Sequence, residues 1–285
     1  MAAGDVTLLG RSTSRLRFGE DERTDGAGLG RRALFLHERP AFELSWWCGT
    51  CQFLFQRLEG SNDTIPIPEL RQRLTEGLDG LDRDVIGRFA DLLPRGHYVP
   101  LLLSVTPRLI HPMREGDYFA EEQVTTWGVD SFWGLPRYPH TAYYRTFDTP
   151  VNATAHLHEF VVPMLPPAWN RRETVAGYAA LLTSSATPTA IAVSTLDVCQ
   201  PAMDRFATDY YTHWGLTHFL LDGHHKMHAA AQTGRPLRLL SLLTLDCSLA
   251  TAAQIGEIPR LRSQPQSVRP GGWVPRTEAP RRGLP

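Results

Sequence analysis

Residues 217–231 have the sequence THFLLDGHHKMHAAA, and this segment indicates how the second half of the chain is built. A mostly apolar run ends at Asp222, Gly223 follows, and an alanine-rich helix is predicted to begin at once. Glycine allows the chain to turn tightly, and small side chains allow a helix to pack closely on a sheet. A strand, a tight turn and a helix in this order are typical of an architecture in which helices cover a sheet.

Elements predicted on both sides of this segment continue the alternation. Continuous apolar runs predict strands, and apolar positions three or four residues apart predict helices. The predicted strands are 156–164, 190–196, 217–221 and 237–245, and the predicted helices are 172–182, 204–214 and 226–232. We therefore expect an α+β (mixed α/β) fold.

The turn after Asp222 has the composition of an anion-binding site. Backbone amides at the start of a helix lack partners within the helix, and the helix dipole favours a negative charge there. Gly223 would let the backbone approach a ligand closely, and His225 and Lys226 would add donors and positive charge. The alternative is a structural turn in which Asp222 caps the helix with its carboxylate.

The same segment resembles the signature of the ParB/sulfiredoxin-like superfamily, in which a strand, an Asp-Gly-His-His-Arg-like turn and an Ala-rich helix precede another strand. The resemblance covers about residues 171–245. Sulfiredoxins have a reactive cysteine where this chain has His224, so their repair chemistry is not expected. Lys226 stands where arginine is usual, which keeps the charge but loses the two-pronged donor geometry.

This resemblance implies a nucleotide- or phosphate-binding protein, with ATP or ADP and Mg²⁺, or another phosphorylated small molecule, as the ligand. The implied activity is that of a phosphotransferase or nucleotide hydrolase. The implied ligand-binding residues are Gly223, His224, His225 and Lys226, and the implied catalytic residues are Asp222 and His225. A competing interpretation is a zinc site formed by His224 and His228 with His218 or Asp222, because histidines four residues apart share one helix face.

A second motif, Cys48-Gly-Thr-Cys51, lies between a predicted strand (41–47) and a predicted short helix (52–58). The turn resembles that of thioredoxin, and a thiolate at a helix N-terminus has a lowered pKa. A second interpretation makes Cys48 and Cys51 metal ligands of a zinc site, and a third has the thiols only packing. The residues considered for completing a zinc site are Cys199, Cys247 and His37.

Composition sets the remaining expectations. The 285 residues are 42% hydrophobic and 21% charged, which is typical of a globular protein. A net charge of −1 argues against a globally basic nucleic-acid-binding surface, and no apolar run approaches the roughly 20 residues of a membrane span. Four cysteines are too few for a disulfide scaffold, so we expect a cytoplasmic protein.

The predicted domain organisation has four parts. They are a disordered leader (1–32), an N-terminal α/β region with the CxxC turn (33–149), a ParB/sulfiredoxin-like domain (150–261) and a disordered tail (262–285). An alternative function of another class is a non-enzymatic regulatory or interaction module whose N-terminal CxxC region is stabilised by zinc or by its thiols.

Overall fold

A computed structural model describes residues 1–21, 31–128, 139–202 and 209–267, and within them the predicted α+β class is confirmed. The strands are β1 (Ala2–Ala3), β2 (Thr7–Leu9), β3 (Leu16–Asp21), β4 (Arg31–Leu36), β5 (Arg39–Leu44), β6 (Phe55–Arg57), β7 (Gly96–Val105), β8 (Arg108–Ile110), β9 (Tyr143–Asn152), β10 (Ala155–Pro163), β11 (Thr189–Cys199), β12 (Thr212–Asp222) and β13 (Leu237–Thr244). The helices are α1 (Arg71–Glu76), α2 (Arg83–Ala90), α3 (Glu122–Trp127), α4 (Arg172–Thr183), α5 (His224–Thr233), α6 (Ala252–Gly256) and α7 (Ile258–Arg262). None of these helices is long and apolar enough to cross a membrane.

The strands form two sheets. The large mixed sheet has the order β1-β7-β13-β11-β12-β10-β9-β8, and β2 also pairs with β7. Strand β10 is parallel to β12, and β11 is parallel to β13, whereas β11 and β12 are antiparallel. The small sheet is an antiparallel meander of β3, β4, β5 and β6.

The large sheet is covered on both faces, so its central strands are buried on both sides. One face packs against the small sheet, α1 and α2, and the other packs against α4 to α7. Side chains of a strand alternate between the faces. In β11, for example, Ile191 and Val193 enter the first core and Ala190 and Ala192 enter the second.

The N-terminal leader differs from its prediction, because the described part of residues 1–32 contributes strands to both sheets. Leu16 is fully buried in β3, while β1 and β2 pair with the distant β7. Strands this short have no sustained periodicity, so their pairing with distant partners left no signal in the local sequence. In the predicted tail, only the part up to residue 267 belongs to the described residues.

One predicted domain border and two predicted helices also differ from the sequence-based expectation. The predicted border at residue 150 falls inside β9, and β7 and β13 from the two halves are neighbours in one sheet. Residues 52–58, predicted as a helix, instead contain the strand β6 (Phe55–Arg57), in which Phe55 joins a cluster of buried aromatic rings. Of the predicted helix at 204–214, residues 204–208 lie outside the described residues and Thr212 already belongs to β12.

A buried ion pair joins the two sheets. The guanidinium of Arg32, on β4, donates to both carboxylate oxygens of Asp197, on β11, at 2.8 Å each. Arg32 also donates to the carbonyl of Ser45 at 2.9 Å, and the side chains of both partners are at most 2% exposed. Because a lone buried charge is costly, each partner depends on the other.

We predict that Arg32→Met lowers the free energy of unfolding by about 3–5 kcal/mol, since it leaves the Asp197 carboxylate buried without its cation. The double variant Arg32→Met/Asp197→Leu should recover most of that loss. Urea denaturation of the wild type and the variants measures both effects. Equal losses in the single and double variants would contradict this account.

Candidate functional site

The turn between β12 and α5 depends on Gly223. Its φ is +94°, a conformation that side chains disfavour, and it is the N-cap residue of α5. A Cβ at this position would lie 2.7 Å from the Cβ of Ala190 on β11. Glycine is therefore needed both for the turn and for its close approach to the neighbouring strand.

Among the described residues, no side chain caps the N-terminus of α5. Asp222 therefore does not cap this helix with its carboxylate, which was the alternative interpretation of the turn. The carboxylate of Asp222 is 37% exposed and lies 4.0 Å from the ammonium nitrogen of Lys226. The first amides of α5 are thus available to a ligand, and the helix dipole adds partial positive charge to them.

A cavity of about 330 Å³, which we call the turn cavity, opens in front of this N-terminus. Its lining residues are Thr64, Pro66, Ile67, Pro68, Arg71, Leu165, Arg171, Thr174, Tyr178, Asp222, Gly223, His224, His225 and Lys226.

The topology brings a second helix start to the same cavity. Strands β10 and β12 are parallel neighbours, so their C-terminal ends meet at one edge of the sheet. Helix α4 follows β10 and helix α5 follows β12, and Arg171, the N-cap residue of α4, lines the cavity. The backbone amide of Arg171 donates to Nε2 of His225 at 3.2 Å, which ties the two helix starts together. Ligands commonly bind at such strand ends.

The charges around the turn cavity favour an anion. Among the described residues that line it, three are cationic (Arg71, Arg171 and Lys226), and Asp222 is the single carboxylate. Arg71 and Arg171 are exposed to solvent. Sequence reasoning missed both arginines, because the folded topology rather than a shared motif brings them to the turn.

The ammonium of Lys226 already has hydrogen-bond partners within the protein. Its ammonium donates to the backbone carbonyls of Thr189 at 2.8 Å and Leu74 at 3.1 Å, which connects α5 to β11 and α1. Burial lowers the pKa of Lys226 to about 8, and nearby Asp222 partly opposes this shift. An ammonium has three N–H donors, so one remains for a ligand after these two bonds.

Burial disfavours the charged forms of both histidines of the turn. Burial lowers the pKa of His224 to about 3, and burial together with Arg171 lowers the pKa of His225. The positive charge expected on His225 is therefore disfavoured in the free protein. Because Nε2 of His225 accepts the amide of Arg171, its Nδ1 carries the proton and can donate to a ligand.

The histidines of the competing zinc interpretation do not converge. His218 faces the second core and bonds through Nδ1 to the hydroxyl of Ser194 at 2.6 Å. Nδ1 of His228 is 3.2 Å from the side-chain nitrogen of Asn170. Within the described ranges, one group of His, Cys, Asp or Glu residues has the spacing of metal ligands, and its members are Asp148, His156 and His158.

Cys48 and Cys51 are joined in a disulfide with a Cα–Cα distance of 5.3 Å. In this form neither sulfur is a thiolate, so the predicted zinc site applies only to the reduced protein. Cys199 is buried, and burial raises the pKa values of both Cys199 and Cys247, which disfavours their thiolates. Zinc binding at the CxxC turn stays a prediction.

Comparison of the chain with protein-family models, curated proteins and solved structures finds no match. The resemblance to the ParB/sulfiredoxin-like superfamily therefore rests on the sequence of the turn and its flanking elements, and it stays a prediction.

We predict that Gly223→Ala lowers the free energy of unfolding by about 1–3 kcal/mol, because the new side chain is strained at positive φ and meets Ala190. Gly177 is the matched control, since it lies in α4 and a methyl group at its Cβ position would meet only open space. Gly177→Ala should raise stability by about 0.5–1 kcal/mol. Urea denaturation measures both, and a neutral effect at Gly223 would refute the role given to its backbone conformation.

Proposed function

We propose that the turn cavity binds the phosphate groups of a nucleotide or of another phosphorylated small molecule. The observation that carries this proposal is the uncapped N-terminus of α5 facing a cavity whose cationic side chains outnumber its carboxylates. Helix N-termini bind phosphate through their free amides and their dipole, and arginine side chains match phosphate geometry.

An apolar part of the lining, which we call the apolar wall, supports an organic ligand rather than a bare phosphate. Its residues are Pro66, Ile67, Pro68, Leu165 and Tyr178. Small-molecule sites combine such apolar walls with a few polar groups that fix the orientation of the ligand, and 330 Å³ lies at the small end of their usual size range. A base or sugar would pack on this wall while its phosphates meet α5.

The residues of the turn have distinct roles in this proposal. The amides of His224, His225 and Lys226 hold phosphate oxygens, and Nδ1 of His225 and the remaining N–H of Lys226 add donors. Asp222 has an exposed carboxylate beside them, suited to contact Mg²⁺ on the phosphates or to accept a proton. Phosphoryl transfer or nucleotide hydrolysis is the corresponding activity, and a cytoplasmic location stays the expectation.

We expect Arg171→Gln to weaken the binding of ADP about tenfold, because it removes a charge-assisted hydrogen bond to phosphate while keeping the backbone amide that contacts His225. Arg172→Gln is the matched control, since Arg172 is the next residue, is exposed and is not among the residues that line the cavity. Isothermal titration calorimetry with ATP, ADP and inorganic phosphate measures the affinities.

The proposal fails if the wild-type protein binds none of these three ligands, or if Arg171→Gln and Arg172→Gln weaken binding equally. A response to inorganic phosphate equal to that for ADP would show that the apolar wall contributes nothing.

The pH dependence of binding provides an independent test. Phosphate esters are fully ionised well below pH 8, and the pKa values of His224 and His225 are lowered, so their titration lies further below pH 7–9. Lys226 has a pKa of about 8, so it loses its charge as the pH rises through 8. We therefore expect ADP affinity to fall between pH 7 and pH 9. A flat profile would contradict a contact between Lys226 and phosphate.

The alternative function, a regulatory or interaction module stabilised at its CxxC region, predicts a different result. Reduced protein would bind one equivalent of zinc that Cys48→Ser abolishes, and ATP or ADP would leave the melting temperature unchanged. Nucleotide stabilisation of the oxidised protein would instead favour the turn cavity.

A further inference from the structure

A buried cluster of three polar side chains lies on the face of the large sheet that is opposite to α5. Asp148 belongs to β9, and His156 and His158 belong to β10, where their spacing of two residues directs both rings to the same face. All three residues are at most 2% exposed. The register of the two strands pairs Asp148 directly with His158, so the sheet itself brings a carboxylate beside the imidazoles.

We infer that Asp148, His156 and His158 form a binding site for one divalent transition-metal ion. One ligand atom from each residue lies within 4.8 Å of the others. Two ligands at about 2.1 Å from an ion are about 3.0 Å apart at an octahedral angle and about 3.4 Å apart at a tetrahedral angle. Oδ1 of Asp148 and Nδ1 of His158 are 2.9 Å apart in a hydrogen bond, so a small separation of the two atoms would let an ion replace the shared proton.

The donor set identifies the class of metal. Two imidazoles and one carboxylate are ligands of zinc and of non-haem Fe²⁺, whereas Mg²⁺ and Ca²⁺ prefer oxygen ligands alone. The ion would be a first-row metal such as Zn²⁺ or Fe²⁺. This site shares no residue with the turn cavity or with the CxxC turn.

Neighbouring side chains support the proposed ligands. Metal-bound histidines usually bond through their second ring nitrogen to another polar group, which fixes the ring. Nε2 of His158 lies 3.5 Å from the hydroxyl of Tyr211, the residue just before β12. Register irregularities in the β9–β10 pairing occur next to His156 and after Glu159, and such bulges re-aim side chains near functional sites.

The charged side chains beside Asp148 bear on whether a metal ion can bind there. Arg145 donates to Oδ1 of Asp148 at 2.7 Å, and the same guanidinium nitrogen is 2.7 Å from a carboxylate oxygen of Glu122. The guanidinium is thus shared between two carboxylates, and Arg108 also acts electrostatically on Asp148. A divalent ion at the histidines would share the Asp148 carboxylate with Arg145.

The test is titration of EDTA-treated, full-length protein with Co²⁺, which gives visible absorption bands when bound by nitrogen and oxygen ligands. We expect binding of one equivalent, displacement of Co²⁺ by Zn²⁺, and a higher melting temperature with Zn²⁺ than with EDTA. His156→Gln and Asp148→Asn should each weaken binding by at least about tenfold. His97→Gln is the matched control, because His97 forms a comparable pair with Asp246 at the surface.

Two further measurements locate the ion. Cys48→Ser should leave Co²⁺ binding unchanged, and the spectrum should lack thiolate charge-transfer bands. If a variant fails to fold, anomalous scattering from a Zn²⁺-soaked crystal of the wild type gives the position of the ion directly. The inference is overturned if the wild type binds none of Co²⁺, Zn²⁺ and Fe²⁺, if binding depends on Cys48, or if the anomalous peak lies away from His156 and His158.

Discussion

Burial of the large sheet on both faces is the constraint on which the rest of the structure depends. A polar side chain on a central strand cannot reach water, so it needs partners within the protein. On the helix-covered face, Ser194, His218 and Glu159 form such a row across three strands. Although burial opposes the charge of Glu159, Arg262 of α7 and His218 lower the pKa of Glu159 to about 2. On the opposite face, the buried side chains of Asp148 and His158 are partners of each other.

Parallel pairing of β10 and β12 gives this sheet an edge at which polar groups reach solvent again. Two strands that run in the same direction end at the same edge, and the helices that follow them start there with unpaired amides. The turn cavity is therefore a consequence of topology, since α4 and α5 both begin beside it. Gly223 makes this arrangement compact by letting the backbone pass close to Ala190.

The sequence predicted what is encoded locally and missed what depends on distant pairing. The strand, glycine and helix around Asp222 were predictable, because propensity, turn chemistry and apolar pattern agree within about fifteen residues. The positions of Arg71 and Arg171 beside this turn were not predictable, because they come to the turn only when α1 and α4 pack beside α5. His156 and His158 left a visible trace as alternate histidines in a predicted strand, but Asp148 becomes their partner only through the register of β9.

Strand β10 runs from the proposed metal site to the turn cavity, and its length separates the two sites. His156 and His158 lie near the start of β10, whereas α4 and the turn cavity follow its end. From His158, the nearer of the two histidines, to Pro163 an extended strand rises about 17 Å, at about 3.3 Å per residue. An ion held by the histidines therefore cannot touch phosphate in the turn cavity, and it is not the Mg²⁺ that accompanies a nucleotide. Effects of substitutions at the two sites should then add, because groups this far apart without shared partners rarely couple.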